Sequence, residues 1–366
     1  MRRDLIALGL AVVGGLLVAC QAGAGAPAAP APAAREAASQ PAAAPGAPTV
    51  PAAPPSEPIR TATHRGITDA ALLIAQEQGA FTEEGLAVDF VPLNATEAPI
   101  LLGANQFEVA GTSVTAGLIK AIQRGVSLKV VADKASAPPG GGFNGLVVRK
   151  QLVASGAFRS LADLAGRRIA IVTSDLGSPN AIEVQAALSQ GGLGLDDVET
   201  VALPFADMNQ AIANGSVDAA LQTEPFVALG VEQGIFVRWI GNDALVPYHQ
   251  NVVLAYSPEF AATEAAKRYV VAYVRALRDY HRAFVKREGR DAIIALLARA
   301  GTVKDVDLYY KMVMPGMNPD GYVDRDALER DQAAFLAANQ IQAPIPMDQL
   351  IDHSFVAYAL ARLGPG

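Results

Sequence analysis

The run SDLGSPN, residues 174–180, sets a polar loop directly ahead of a helical pattern. Ser178 and Pro179 read as N-cap and first helical residue, a start that leaves backbone N–H groups aimed outward. Free donors and the helix dipole together attract an anion or a polar ligand group there. The same two residues would serve equally as an ordinary helix start. Ser174, Ser178 and Asn180 are the candidate contacts on this stretch. Glu224 precedes Pro225, which biases it to extended backbone at the end of a strand pattern and leaves it no helical role. A carboxylate there favours ring N–H or amine donors over a bare oxyanion. Asp69 stands at a helix start after the first strand pattern, either as a partner for the helix dipole or as a ligand group. Thr68, Thr112, Ser113 and Lys134 also lie at strand ends or the helix starts that follow, and complete the candidate set. Phe143, Phe226 and Tyr248 offer either a stacking face or hinge packing.

Other motifs carry less. GGGFNG, Gly140 to Gly145, satisfies G-x-G-x-x-G, but it follows Pro138-Pro139 and leads into a strand, whereas a dinucleotide loop follows a strand and opens a helix. Glycine there suits a mobile loop. GTSVT, residues 111–115, lacks the second glycine of a nucleophile elbow, so no serine hydrolase is indicated. His64, His249, His281 and His353 have no pair at metal-ligand spacing, and neither metal nor cofactor is expected. The one cysteine is Cys20, which excludes disulfides and thiolate chemistry from everything after it.

The elements that must position these residues are legible. Ten short apolar runs read as strands: IRTATHRG, LAVDFVPL, FEVAGTS, LKVVADKA, GLVVRK, RRIAIVTS, VETVALPF, VDAALQTE, IFVRWIGN and NVVLAYS. Helical patterns lie between them, such as residues 68–78 closed by Gly79, and 160–165 with a Ser160/Asp163 capping box. Strands alternating with helices make a parallel α/β fold. Residues 265–287 repeat Val270, Tyr273, Val274, Leu277, Tyr280 and Phe284 at spacings of three and four, a stripe expected to pack on a sheet. VDFVPLNATEAPILLGANQFEVAG and VETVALPFADMNQAIANGSVDAA share one layout: a strand closed by proline, a helix, Ala-Asn and a second strand. Two lobes on one plan are suggested, with Thr112-Ser113 and Glu224 at corresponding carboxyl edges, where open α/β sheets bind ligands.

The N-terminus has its own logic. Arg2 and Arg3 precede an uncharged apolar run to Ala19, the order of a secretory signal and too short for a spanning helix of ~20 residues. Leu17-Val18-Ala19-Cys20 resembles the lipobox of bacterial lipoproteins, which implies cleavage after Ala19 and a lipid on Cys20. Residues 21–58 hold 16 Ala and 10 Pro, with no apolar pattern to bury, and read as a tether. Cleavage removes Arg2, Arg3 and Asp4, taking the net charge from −7 to −8, and no basic run remains to hold nucleic acid.

ALLIAQEQGAFTEEGLAVDFVPL, LKVVADKA, GLVVRK, SLADLAGRRIAIV and QAIANGSVDAALQTEPFVALG resemble the nitrate/sulfonate/taurine and thiamine-pyrimidine family of ABC-transporter substrate-binding proteins. The resemblance implies a type II periplasmic-binding-protein fold of two parallel-sheet α/β lobes: 59–147 with 249–366, and 148–248 inserted between them. It places the crossovers near 144–149 and 248–253. It further implies a monomer that closes on a small solute, an organic anion or a nitrogen heterocycle, and delivers it to a permease and ATPase outside the cytosol. The alternatives are a pyrimidine-forming enzyme on the same fold, which the missing cysteines and the export signal oppose, and a solute-sensing lipoprotein.

Overall fold

Each of the ten apolar runs forms a strand, and the strands sort into two five-stranded sheets. The computed structural model describes residues 57–93 and 97–366; the signal peptide, Cys20 and the tether up to residue 56 lie outside the described residues. The first sheet has the order β2 (Val88–Pro92), β1 (Ile59–Thr63), β3 (Val109–Thr112), β10 (His249–Tyr256), β4 (Lys129–Ala137). The second has the order β7 (Glu199–Ala202), β6 (Arg168–Ile171), β8 (Ala219–Thr223), β5 (Asn144–Arg149), β9 (Phe236–Gly241).

The two orders are one plan used twice. In each sheet four of the five strands run in one direction, while the remaining one, entering from the other sheet, lies antiparallel to both its neighbours. The sheets are therefore mixed and not wholly parallel as expected, because a chain that crosses between lobes re-enters each sheet from the hinge end. The internal resemblance falls on corresponding pieces, β2 to β3 in one sheet and β7 to β8 in the other.

The crossover expected at 144–149 needs correction. That stretch is β5 and belongs wholly to the second sheet, so the chain leaves the first lobe over residues 138–143; the return expected at 248–253 is corrected likewise, because β10 opens at His249 in the first sheet and the chain crosses back over 242–248. The segment Gly-Leu-Val-Val is apolar because both faces of β5 are covered; Leu146, Val147 and Val148 are all buried.

One helix pair anchors the first lobe. Ala70–Glu77 buries every residue from Ala70 to Ala75, with its C-terminal end followed by Gly79 at φ 77°, a left-handed turn that glycine takes without steric cost. It packs against Glu264–Phe284, whose stripe of Val270, Tyr273, Val274, Leu277 and Tyr280 is fully buried core. Burial of such side chains contributes roughly 1.5–3 kcal/mol each. The phenol groups do not go unpaired: Tyr273 donates to the Asp133 carbonyl at 3.0 Å and Tyr280 to the Pro315 carbonyl at 2.6 Å.

Candidate functional site

Parallel strands end, and antiparallel strands begin, on the edge of each sheet that faces the other lobe, and between the two edges lies a cleft of ≈ 680 Å³. From the first lobe come His64 and Thr68 after β1, Ser113 after β3, and Asn251 with Val252 on β10. From the second come Phe143 and Asn144 at the start of β5, Asn180, Phe205 after β7, and Glu224 with Phe226 after β8. A third wall, Val303, Lys304, Asp305 and Leu308, belongs to the helical region that follows Glu264–Phe284.

Four residues singled out by the sequence stand in this lining: Thr68, Ser113, Asn180 and Glu224. Five do not. Asp69 and Lys134 are both buried beneath it as an ion pair, Nζ to Oδ1 2.6 Å, with Lys134 also donating to the Thr68 carbonyl at 3.0 Å. Burial pushes the Asp69 carboxyl up, and Lys134 with His64 more than reverses this and holds it below the usual carboxylate range. Gly111 leaves the passage for the lysine, since a Cβ there would stand 2.6 Å from Lys134 Cε. The pair shores up the floor of the cleft, and its charges are spent on each other. Thr112 is buried on β3 and donates to the Ser113 carbonyl at 3.3 Å. Ser178 is a helix cap, accepting from Ala181 N–H at 3.3 Å and donating to the Asp175 carbonyl at 2.9 Å. Ser174 is exposed and outside the lining, because the loop turns back on itself through Asp175. Of the aromatic candidates, Phe143 and Phe226 line the cleft, whereas Tyr248 lines a groove elsewhere.

Glu224 is held from both lobes. Its carboxylate accepts from Ala228 N–H at 2.9 Å in its own lobe and from Val313 N–H at 3.1 Å in the other. Arg238 approaches to 3.7 Å, and burial raises the pKa of the carboxyl. A second closure contact joins Lys311 to Glu232 across the lobes.

The sequence reading missed a buried polar cluster at the hinge. Glu183, wholly buried in the helix Pro179–Gln190, accepts four side-chain donors: Asn144 Nδ2 at 3.0 Å, Asn242 Nδ2 at 2.7 Å, Asn251 Nδ2 at 2.7 Å and His249 Nδ1 at 3.0 Å. On the other side of the imidazole ring, His249 Nε2 lies 3.2 Å from Asp331 Oδ1. Burial alone would lower the His249 pKa, but Asp331 and Glu183 outweigh it and carry it up to about 10. The only signal in the sequence was a set of polar residues opening the apolar strands β5 and β10, too common a pattern to read.

A larger groove of ≈ 800 Å³ runs past Pro138, Tyr248, Phe284, Met312 and Met317. It is built from the first lobe and the hinge, so closure of the lobes cannot enclose a solute in it. The inter-lobe cleft is the candidate site.

Residues 68–282 match the family model described as NMT1/THI5 like. Among solved structures, the ligand-binding component of an ABC-type import system from Staphylococcus aureus, with zinc bound, is similar over 83% of this chain and 99% of its own, at 15% identity and a TM-score of 0.68. The periplasmic aliphatic sulphonate binding protein SsuA from Escherichia coli is similar over 81% of this chain and 92% of its own, at 19% identity and a TM-score of 0.64. The periplasmic nitrate-binding protein NrtA from Synechocystis PCC 6803 is similar over 84% of this chain and 90% of its own, at 14% identity and a TM-score of 0.62. Likeness at these identities is likeness of fold. No curated protein matches the chain.

Proposed function

The chain belongs to the NMT1/THI5-like family, and from that premise we propose that it is the extracytoplasmic solute-binding component of an ABC importer. It captures a small organic solute by closure of its two lobes and presents the closed form to a permease. The observation that carries this reading is the cleft itself: residues of both lobes line one cleft, and the lobes bond to each other beside it through Glu224 and Val313. A solute that touches both walls binds the closed state better than the open one and so shifts the population toward closure. The neighbours solved as a ligand-binding component of an ABC-type import system and as a periplasmic aliphatic sulphonate binding protein support the same reading.

The lipid anchor belongs to this proposal. Export with lipidation at Cys20 puts the binding lobes on the outer side of the membrane, and the Ala/Pro tether gives them reach. An enzyme on this fold has in its favour His64 in the cleft lining and the solved desulfurization enzyme DSZB among the similar structures, but a chain with Cys20 as its one cysteine has no thiolate to offer in the body.

Mass spectrometry of the solute carried through native purification tests the reading, together with small-angle scattering of the stripped and reloaded protein. Compaction on reloading supports a closing receptor. A bound solute that leaves the radius of gyration unchanged removes the closure step, and turnover of the solute removes the transport reading.

A further inference from the structure

Asn144 occupies two environments at once. It lines the cleft, yet its Nδ2 donates inward to Glu183 Oε2 at 3.0 Å. Glu183 is a pure acceptor, taking Asn242, Asn251 and His249 on its other oxygen. Burial works against the ionised form, but His249 and the two amides prevail and hold the carboxyl below its usual range. An amide whose NH₂ is claimed by a carboxylate must turn its carbonyl oxygen the other way. Asn144 Oδ1 accepts no hydrogen bond among the described residues. The hinge cluster therefore fixes the polarity of a cleft group: Asn144 meets a solute as an acceptor.

Among the other polar groups of the lining, Thr68, Ser113, Asn180 and Thr223 can donate or accept, and one is fixed as an acceptor. Glu224 is an acceptor held by two backbone N–H groups. Among the described lining residues only His64 and Lys304 can be cationic. The His64 ring lies 3.3 Å from the Asp69 carboxylate, and Lys304 is exposed and donates to the Arg299 carbonyl at 2.8 Å. The Lys134 charge below the floor is paired with Asp69. From the described lining the cations that face the cleft are His64, set beside Asp69, and Lys304, exposed at the outside, while Phe143, Phe205, Phe226 and Leu229 give the cleft an apolar wall.

Resting on the solute-binding reading, we infer that the cleft takes a non-anionic solute with a planar apolar body and N–H donors, and that Glu183 is a positioning residue for this choice through Asn144. An anion of the same girth would meet two fixed acceptors, Asn144 Oδ1 and the Glu224 carboxylate, and the cation nearest to Glu224, Arg238 at 3.7 Å, is already set against that carboxylate. A site built to hydrogen-bond a donor rejects the analogue that lacks it.

Calorimetric titration of the ligand-stripped chain with benzamide, a neutral aromatic N–H donor, and benzenesulfonate, its anionic counterpart, tests the assignment. Benzamide is expected to bind about tenfold or more the tighter. In Glu183→Gln the new amide donates to Asn144 Oδ1, the Asn144 NH₂ turns toward the cleft, and the benzamide-to-benzenesulfonate ratio falls several-fold. Should that variant not fold, Asn144→Ala serves: benzamide binding weakens about tenfold and benzenesulfonate binding does not. Equal or tighter binding of benzenesulfonate to the parent overturns the ligand class and leaves the receptor reading standing. Binding of neither probe also overturns it, the receptor reading then resting on the purified solute alone. A ratio unchanged in folded Glu183→Gln removes the role given to Glu183.

Discussion

Ala116 of the first lobe donates its backbone N–H to the Gly177 carbonyl of the second at 2.8 Å. The approach is close enough that a Cβ on Gly177 would stand 2.4 Å from Ala116 Cβ. Gly177→Ala is thus expected to strain the closed arrangement while sparing each lobe. Overpacking of this kind costs ~1–3 kcal/mol, here charged to the closed state alone, a loss of about 5- to 150-fold in solute affinity. Calorimetry and scattering check it: the variant should bind more weakly and stay more open at matched solute concentration. Parent-like affinity would show that the two lobes do not need this contact.

Lys134→Met leaves the Asp69 carboxylate buried without its partner. Breaking a buried pair from one side costs ~3–5 kcal/mol, because the remaining charge is uncompensated, whereas replacing both partners with apolar groups is often neutral. Denaturant unfolding should therefore show a large loss for Lys134→Met and substantial recovery in the double variant Asp69→Leu/Lys134→Met. If the single variant unfolds like the parent, the pair is not what supports the cleft floor.

How far the sequence went depended on what sets each feature. Strands are set by local runs of branched and apolar residues, and all ten were legible, as was the buried stripe of Glu264–Phe284. Which sheet a run joins is not local: β5 reads the same whether it ends one lobe or begins the other, and the crossover was placed six residues late. Asp69 and Lys134 sit at the expected strand ends, but their pairing is a contact across 65 positions that no spacing rule reports. Thr68, Ser113, Asn180 and Glu224 reach the cleft because sheet topology alone delivers strand ends to that edge. The wall at Val303–Leu308 follows no strand and was invisible to that argument.

Cys20→Ala is expected to abolish lipidation, so the exported chain leaves the membrane fraction and appears in the soluble one. Fractionation with and without detergent reads this directly. The first described strand opens at Ile59, and the melting temperature is expected not to move. A variant that still requires detergent for extraction would mean that the attachment lies elsewhere.

His249 gives the fold a stability that fades in alkali. Its pKa is raised to about 10 from an ordinary 6.5 by Asp331 and Glu183, the charged groups on either side of the ring, with Asn242 and Asn251 adding no charge. A raised folded-state pKa means that the folded chain holds a proton the unfolded chain has released. The contribution is full below about pH 6.5 and is lost as pH rises through about 10, with a slope of at most about 1.4 kcal/mol per pH unit for one proton. Asp133, which burial raises to about 6 from 3.8, has the same sign but a separate window, its contribution present below about pH 4 and gone by about 6. Melting temperatures should fall along the upper limb from about pH 6.5 to pH 10, above the Asp133 window, and His249→Gln, neutral throughout, should flatten that limb. An upper limb that falls equally in His249→Gln would show that the imidazolium between Glu183 and Asp331 does not bear on stability.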